Sequence, residues 1–315
     1  MLITAGLSVL TLGAGALGWR TWRRGPALPV PRQPVDAAAL AATQTILEPP
    51  AGPLRCYHLG HSLVGRDMPA MLAQLAGHDY AAQIGWGTPL RAHWESRVPI
   101  HGLDTDSPRY RPAREALTQG GYDAVVLTEM VELRDAILWH ASPHYLAKWA
   151  ALARQGNPGV RLYLYETWHR LDDPDGWLTR LDTDLDRHWL AEVMAGALAW
   201  DAGGQIHLIP GGQVMAAVTR AAESGAIPGL SRREDLFARM PDGTQDPIHL
   251  NDLGNYVIAL THFATLYHRT PEGLPHLLVR ADGSAMTPVD PAIAAALQHL
   301  VWQVVRAAPH TGVAV

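Results

Sequence analysis

Five short runs along the chain, most of them carrying β-branched or aromatic residues, stand out as strands: Leu54–Leu59, Tyr80–Ile84, Ala124–Thr128, Arg161–Tyr165 and Gln205–Ile209. Each ends near a glycine or a polar residue, as strands do where the chain turns. Between and after them apolar positions recur at helical spacing. They predict helices over Gly65–Ala76, Arg111–Gln119, Pro143–Gln155, Trp177–Trp200, Gln213–Ser224, Ser231–Ala238, Asn251–Tyr267 and Pro291–Ala307. Strands alternating with helices mark a parallel sheet covered on both faces. The predicted fold is α/β, a three-layer α/β/α sandwich built on a five-stranded parallel sheet. In such sheets the loops at the carboxyl ends of the strands gather the functional residues.

The N-terminus departs from this pattern. Met1 to Trp19 carries no charged side chain, and Arg20-Thr-Trp-Arg-Arg24 follows it. An apolar span of that length can cross a bilayer as a helix, with Trp and Arg as interfacial anchors. Residues 1–24 therefore read as a transmembrane or signal-anchor segment that holds the protein to a membrane through residues 2–19. No basic stretch precedes the span and no clear small-residue cleavage site follows it. Pro26, Pro29, Pro31 and Pro34 mark an extended spacer within residues 25–50, which also includes a short helix around Val35–Ile46. Residues 51–315 form the folded domain.

Composition narrows the function. Hydrophobic residues make up 48% and charged residues 17% of 315, enough for a substantial core. A net charge of -5 without any basic stripe excludes a nucleic-acid surface. The lone cysteine, Cys56, excludes an intrachain disulfide and reads as a small core residue. Sixteen histidines invite a metal reading. None falls in a His-x-x-x-His pair on a helix face with a partner carboxylate, so neither metal nor other cofactor is expected. Asp172, Asp173 and Asp175 read as a solvated loop that starts the helix at Trp177.

Two segments carry chemistry. The first strand runs into Gly60-His61-Ser62-Leu63, which puts a serine hydroxyl at the carboxyl edge of the sheet. Asp246-Pro247-Ile248-His249-Leu250-Asn251 lies far down the chain, just before an amphipathic helix. Its three-residue spacing lets a carboxylate reach the following imidazole, fix its tautomer and support it as a base. Asn251 also suits the N-cap of that helix. After the fourth strand come Glu166-Thr167-Trp168-His169. Two readings stand for this group: a substrate-facing wall of Glu166 and Trp168, or a capping carboxylate with an indole packed beneath it. Trp86 and Trp94 lie near the same predicted edge, where an indole can stack on a sugar ring.

Gly60-His61-Ser62-Leu63 and Asp246-x-x-His249 resemble the first and last signature blocks of the SGNH (GDSL-like) hydrolases, and the order of elements between them is similar. The resemblance spans about residues 54–275. It implies a flavodoxin-like sandwich and ester hydrolysis through an acyl-serine, with Ser62 as nucleophile, His249 as base then acid, and Asp246 as its partner. It also implies an oxyanion hole formed by the backbone N–H of Ser62, a glycine after the second strand, and a side-chain donor after the third. Gly85 and Gly87 are the candidates for that glycine; Gly87 is preferred because Gly85 suits the strand's end. At the third position stands Glu129, where the family has Asn, and an ionised carboxylate cannot donate. A protonated Glu129, the Thr128 hydroxyl, or the two backbone donors alone would each answer this. Family habit further suggests a small acyl ester, most simply an O-acetyl group on a carbohydrate or envelope glycan, and a domain facing the periplasm or cell exterior. The charge rule for the anchor points to the cytoplasmic side instead. The alternatives are a catalytically silent protein of the same fold that binds a polysaccharide or a partner, favoured by Glu129, and a lysophospholipase or thioesterase.

Overall fold

Five parallel strands form the centre of the protein: β1 (Arg55–His61), β2 (Asp79–Gly85), β3 (Ala124–Leu127), β4 (Arg161–Glu166) and β5 (His207–Pro210), ordered β2-β1-β3-β4-β5. This is the flavodoxin-type order, which places a topological switch point beside β1. The computed structural model describes residues 37–42, 44–95, 97–200 and 205–314. The expected anchor over residues 1–24 and the spacer up to residue 36 lie outside the described residues. Among those described, no helix is long and apolar enough to cross a membrane.

The helices are α1 (Ala37–Ala42), α2 (Asp67–Ala76), α3 (Leu90–Trp94), α4 (Ala113–Gln119), α5 (Leu133–His140), α6 (Ser142–Gly156) and α7 (Trp177–Asp184). α7 continues through a π-helical stretch, Leu185–Met194, into α8 (Ala195–Leu198). They are followed by α9 (Gly211–Glu223), α10 (Asp252–Tyr267) and α11 (Pro291–Ala307). On one face of the sheet, Cys56, Val126, Tyr163, Tyr165 and Ile209 pack against Met68 and Leu72 of α2, Val214 of α9, Leu260 of α10 and Val301 of α11. Alternate strand residues point the other way. Tyr57, Leu59, Val125, Leu127, Leu162 and Leu164 are fully buried on the opposite face, where α6 and the π-helical stretch cover the sheet. The result is an α/β fold with helices on both faces.

The five strands coincide with the runs read from the sequence. One predicted helix does not form. In place of Ser231–Ala238 a 3-10 turn, Arg233–Leu236, leads into β6 (Phe237–Arg239), which pairs antiparallel with β7 (Gln245–Leu250). The turn between them explains the correction. Gly243 has φ 84°, and Asp242 Oδ1 accepts from Thr244 N and Oγ1, which is hairpin chemistry. Asp235 accepts from the backbone N–H groups of Ser231 and Arg232 and so caps the start of the short 3-10 turn. Asp246 and His249 thus stand on a two-stranded ribbon.

Candidate active site

Ser62 follows the last residue of β1. Gly60 is required just before it, because a Cβ there would lie 2.7 Å from the Thr128 Cβ. The turn closes with Val64 N donating to His61 O at 2.9 Å. α2 begins only at Asp67, so a turn separates Ser62 from the helix N-terminus.

The ribbon brings His249 to the serine. His249 Nε2 lies 3.0 Å from Ser62 Oγ, and His249 Nδ1 lies 2.9 Å from Asp246 Oδ2. The second oxygen of Asp246 accepts from the backbone N–H groups of Ile248 and His249, each at 2.9 Å. Partial burial pushes the Asp246 carboxyl up, but these donors and the imidazole outweigh it and hold the group below its ordinary value. An ionised Asp246 accepts the Nδ1 proton and leaves the Nε2 lone pair facing the serine hydroxyl. That arrangement can remove a proton from an alcohol.

The ribbon is fixed from behind. Trp168 donates its Nε1–H to Ile248 O at 2.8 Å, and Leu171 N donates to Pro247 O at 2.7 Å. Trp168 is completely buried. The reading of Trp168 as a substrate-facing wall is therefore corrected: the indole packs under the strand that carries His249. Glu166 is corrected in the same way. It is buried, accepts from Gln213 N and Nε2 at 3.2 and 2.9 Å, and holds the start of α9. Burial pushes its carboxyl up to about 8 against those donors.

Glu129, in the position of the expected side-chain donor, also faces inward. Its Oε1 accepts from Met130 N at 2.8 Å and Leu90 N at 3.2 Å, and its Oε2 accepts from Ser142 Oγ at 2.6 Å. Complete burial raises its carboxyl to about 7 despite these three donors. Glu129 therefore serves as an acceptor here, not as a donor toward the serine. The Thr128 hydroxyl is fully buried and has no protein partner. Gly85 ends β2, where a Cβ would press within 2.3 Å of Ile100. Gly87 has φ +51° with open space around it, and the adjoining Trp86 is 73% exposed, its ring laid over Gly102.

Glu132, His169 and Asp173 bring ligand atoms close enough to hold a cation. Arg180 already supplies one: its guanidinium meets Glu132 and Asp173 at 2.8 Å and Asp184 at 2.7 Å. Burial acts to raise the Glu132 carboxyl, but the guanidinium overcomes it and brings the group down to about 2. Asp173 thus belongs to an ion-pair cluster and not to a solvated loop. The sequence shows no signal for this cluster, since its members come from three separate segments.

No family model matches the chain, and no curated protein matches it in sequence. Among solved structures, it is similar to a DUF4886 family protein from Bacteroides uniformis, with a TM-score of 0.50 and 19% identity over 80% of this chain and 95% of that one. A GDSL-like lipase from Parabacteroides merdae aligns with a TM-score of 0.41 and 12% identity, over 71% of this chain and 99% of that one. A carbohydrate esterase family 3 protein from Talaromyces cellulolyticus aligns with a TM-score of 0.34 and 13% identity, over 66% and 93%. At these identities the likeness to the Bacteroides uniformis protein is one of fold.

Proposed function

We propose that the protein is a serine esterase that hydrolyses small acyl esters through an acyl-Ser62 intermediate. The observation that carries this reading is the run Ser62 Oγ, His249, Asp246: a 3.0 Å contact between Ser62 and His249, 187 residues apart in sequence, continued by a 2.9 Å contact between His249 and Asp246. His249 Nε2 takes the Ser62 proton as Oγ bonds to the ester carbonyl carbon, and the carbonyl oxygen becomes an oxyanion. The backbone N–H groups of Ser62 and Gly87 are the proposed donors to it. As the tetrahedral intermediate collapses, the ester C–O bond breaks and His249 returns the proton to the leaving alcohol. Water then repeats the sequence on the acyl-serine, freeing the acid and restoring Ser62.

The exposed indole of Trp86, beside Gly87, supports a sugar ring as the alcohol portion, and an O-acetyl group as the acyl portion is the simplest fit. The apolar stretch over residues 2–19 supports a membrane tether, with the domain on the outer side as the reading consistent with an envelope glycan. Ser62→Ala and His249→Ala are each expected to abolish hydrolysis of p-nitrophenyl acetate while leaving the circular dichroism spectrum unchanged. Full activity in either variant overturns the assignment.

One observation favours a second reading. The inward-facing Glu129 leaves the usual third donor position without a donor, which suits a catalytically silent binding protein of the same fold. A serine-directed fluorophosphonate separates the two: labelling at Ser62 marks an enzyme.

A further inference from the structure

The nucleophile turn is held by a closed circuit of hydrogen bonds that lies outside the Ser62–His249–Asp246 run. His93, on α3, approaches Gly60 O with Nε2 at 2.9 Å and Gln83 Nε2 with Nδ1 at 2.9 Å. The proton positions follow from the far end of this chain of contacts. Ala113 N can only donate, so Gln83 presents Oε1 to it, at 2.8 Å. Gln83 therefore turns its amide N–H toward His93 Nδ1, and His93 carries its own proton on Nε2, directed at Gly60 O. A second proton on His93 would face the Gln83 amide N–H. Burial agrees with this, lowering the His93 pKa to about 4.

His61 repeats the pattern. Its Nε2 lies 2.8 Å from Glu129 O, which can only accept, and its Nδ1 accepts from Leu63 N at 3.4 Å. Glu129 closes the circuit through its carboxylate, which accepts from Leu90 N, the first residue of the helix that carries His93. The path runs from Gly60 to His93, along α3 to Leu90, across to Glu129, and back through His61. His61, Leu90, His93 and Glu129 are all buried. The circuit joins the carboxyl ends of β1 and β3 to the segment that follows β2, three residues beyond Gly87.

We propose that His93 and Glu129 are positioning residues for the nucleophile turn and for the Gly87 loop, Glu129 acting as an acceptor for backbone N–H groups in place of a donor to the oxyanion. The inference rests on the esterase reading of the site. Its physical basis is that a serine–imidazole contact near 3 Å tolerates little displacement. A misplacement of about 1 Å costs on the order of a hundredfold in rate. Fixing Gly60 and His61, the two residues before Ser62, removes that freedom.

The test compares variants of the whole protein with p-nitrophenyl acetate. His93→Leu removes the donor to Gly60 O and is expected to lower kcat about tenfold or more with KM within about threefold. His93→Gln, which restores an N–H toward Gly60 O, should recover most of the loss. Glu129→Gln keeps an acceptor for Leu90 N and Met130 N, while its amide N–H can donate to Ser142 Oγ; it should stay within about threefold of the wild type, whereas Glu129→Ala falls with His93→Leu. A His93→Leu variant with unchanged kcat overturns the proposal, as does Glu129→Gln losing as much as Glu129→Ala. The two Gln variants decide the matter should His93→Leu fail to fold. Amide exchange of residues 59–65 gives an arm independent of turnover: it should speed up in His93→Leu, or in His93→Gln less so, and equal protection in wild type and variants overturns positioning. A wild type that neither hydrolyses ester nor takes fluorophosphonate defeats the esterase reading, while an active wild type with an indifferent His93 defeats this inference alone.

Discussion

Trp168 donates its indole N–H to the carbonyl of Ile248, the residue immediately before His249. An indole buried just beyond the end of β4 is thus bonded to the strand that carries His249. Trp168→Phe keeps the ring and removes the donor. It leaves a carbonyl without its partner at a cost of about 1–2 kcal/mol. Urea denaturation should read that loss, and kcat for p-nitrophenyl acetate should fall more than KM rises. Unchanged kcat would mean that β7 keeps its place without this bond.

Asp246→Asn should be far more damaging to turnover than to stability. The Asn carbonyl can still accept from Ile248 N and His249 N, so the ribbon stays in place. Its amide N–H would then face His249 Nδ1, force the proton onto Nε2 and turn the wrong tautomer toward Ser62. We expect kcat to drop on the order of a thousandfold with a thermal midpoint near that of the wild type. A drop under tenfold would show that His249 keeps its orientation and tautomer without the carboxylate.

Acidification should weaken the fold. His58, His78 and His262 are buried on the α10 side of the sheet, and neither ring nitrogen of His58 has a protein partner. Burial lowers His78 and His262 to about 4 and His58 well below its ordinary value. A histidine depressed in the folded state contributes stability that is full above its unfolded value near 6.5 and declines as pH falls toward the folded value. Glu129 and Glu166 act in the opposite sense, since their raised values favour the protonated form between 4.5 and about 7 or 8. His61, His93, His207 and His268 are lowered to about 4 by burial as well, so with seven histidines against two carboxyls the urea midpoint should fall between pH 7 and pH 5, and His58→Leu should flatten that slope. A midpoint that rises on acidification would show the carboxyls dominating.

Arg180→Leu should be among the most destabilising single changes. It leaves Glu132, Asp173 and Asp184 close together with no cation between them. Removing one partner of a buried ion pair costs about 3 kcal/mol or more. Chemical denaturation measures this directly, and a loss below about 1 kcal/mol would mean that water or a bound cation takes the guanidinium's place.

The sheet and the Asp246–His249 pair were legible because their signals are local, whereas the meeting of Ser62 with His249, 187 residues away, rested on the resemblance of their two blocks to a family. Short apolar runs marked all five strands, and the Asp246-x-x-His249 spacing placed a carboxylate beside an imidazole before any fold was known. What stayed hidden depends on contacts remote in sequence. Nothing near Phe237 announces that it pairs with Leu250, and Pro247 argues against reading β7 as a strand at all. Glu166 and Trp168 sit at a strand's carboxyl end, where a side chain facing the site and one facing the interior have the same sequence. Only Gln213 and Ile248, far along the chain, reveal which way they point. The Glu129–Leu90 bond is hidden for the same reason: the sequence marks the departure from Asn, but not the backbone donor that explains it.

The proposed nucleophile and its proposed base belong to different pieces of architecture. Ser62 extends from the five-stranded sheet, whereas His249 rides on a ribbon of two short strands clipped at Ile248 and Pro247. A ribbon so small has far less to lose on detaching than the sheet beneath it. Warming should therefore part the imidazole from the hydroxyl while the helical signal is still intact, so that this protein stops working several degrees before it melts.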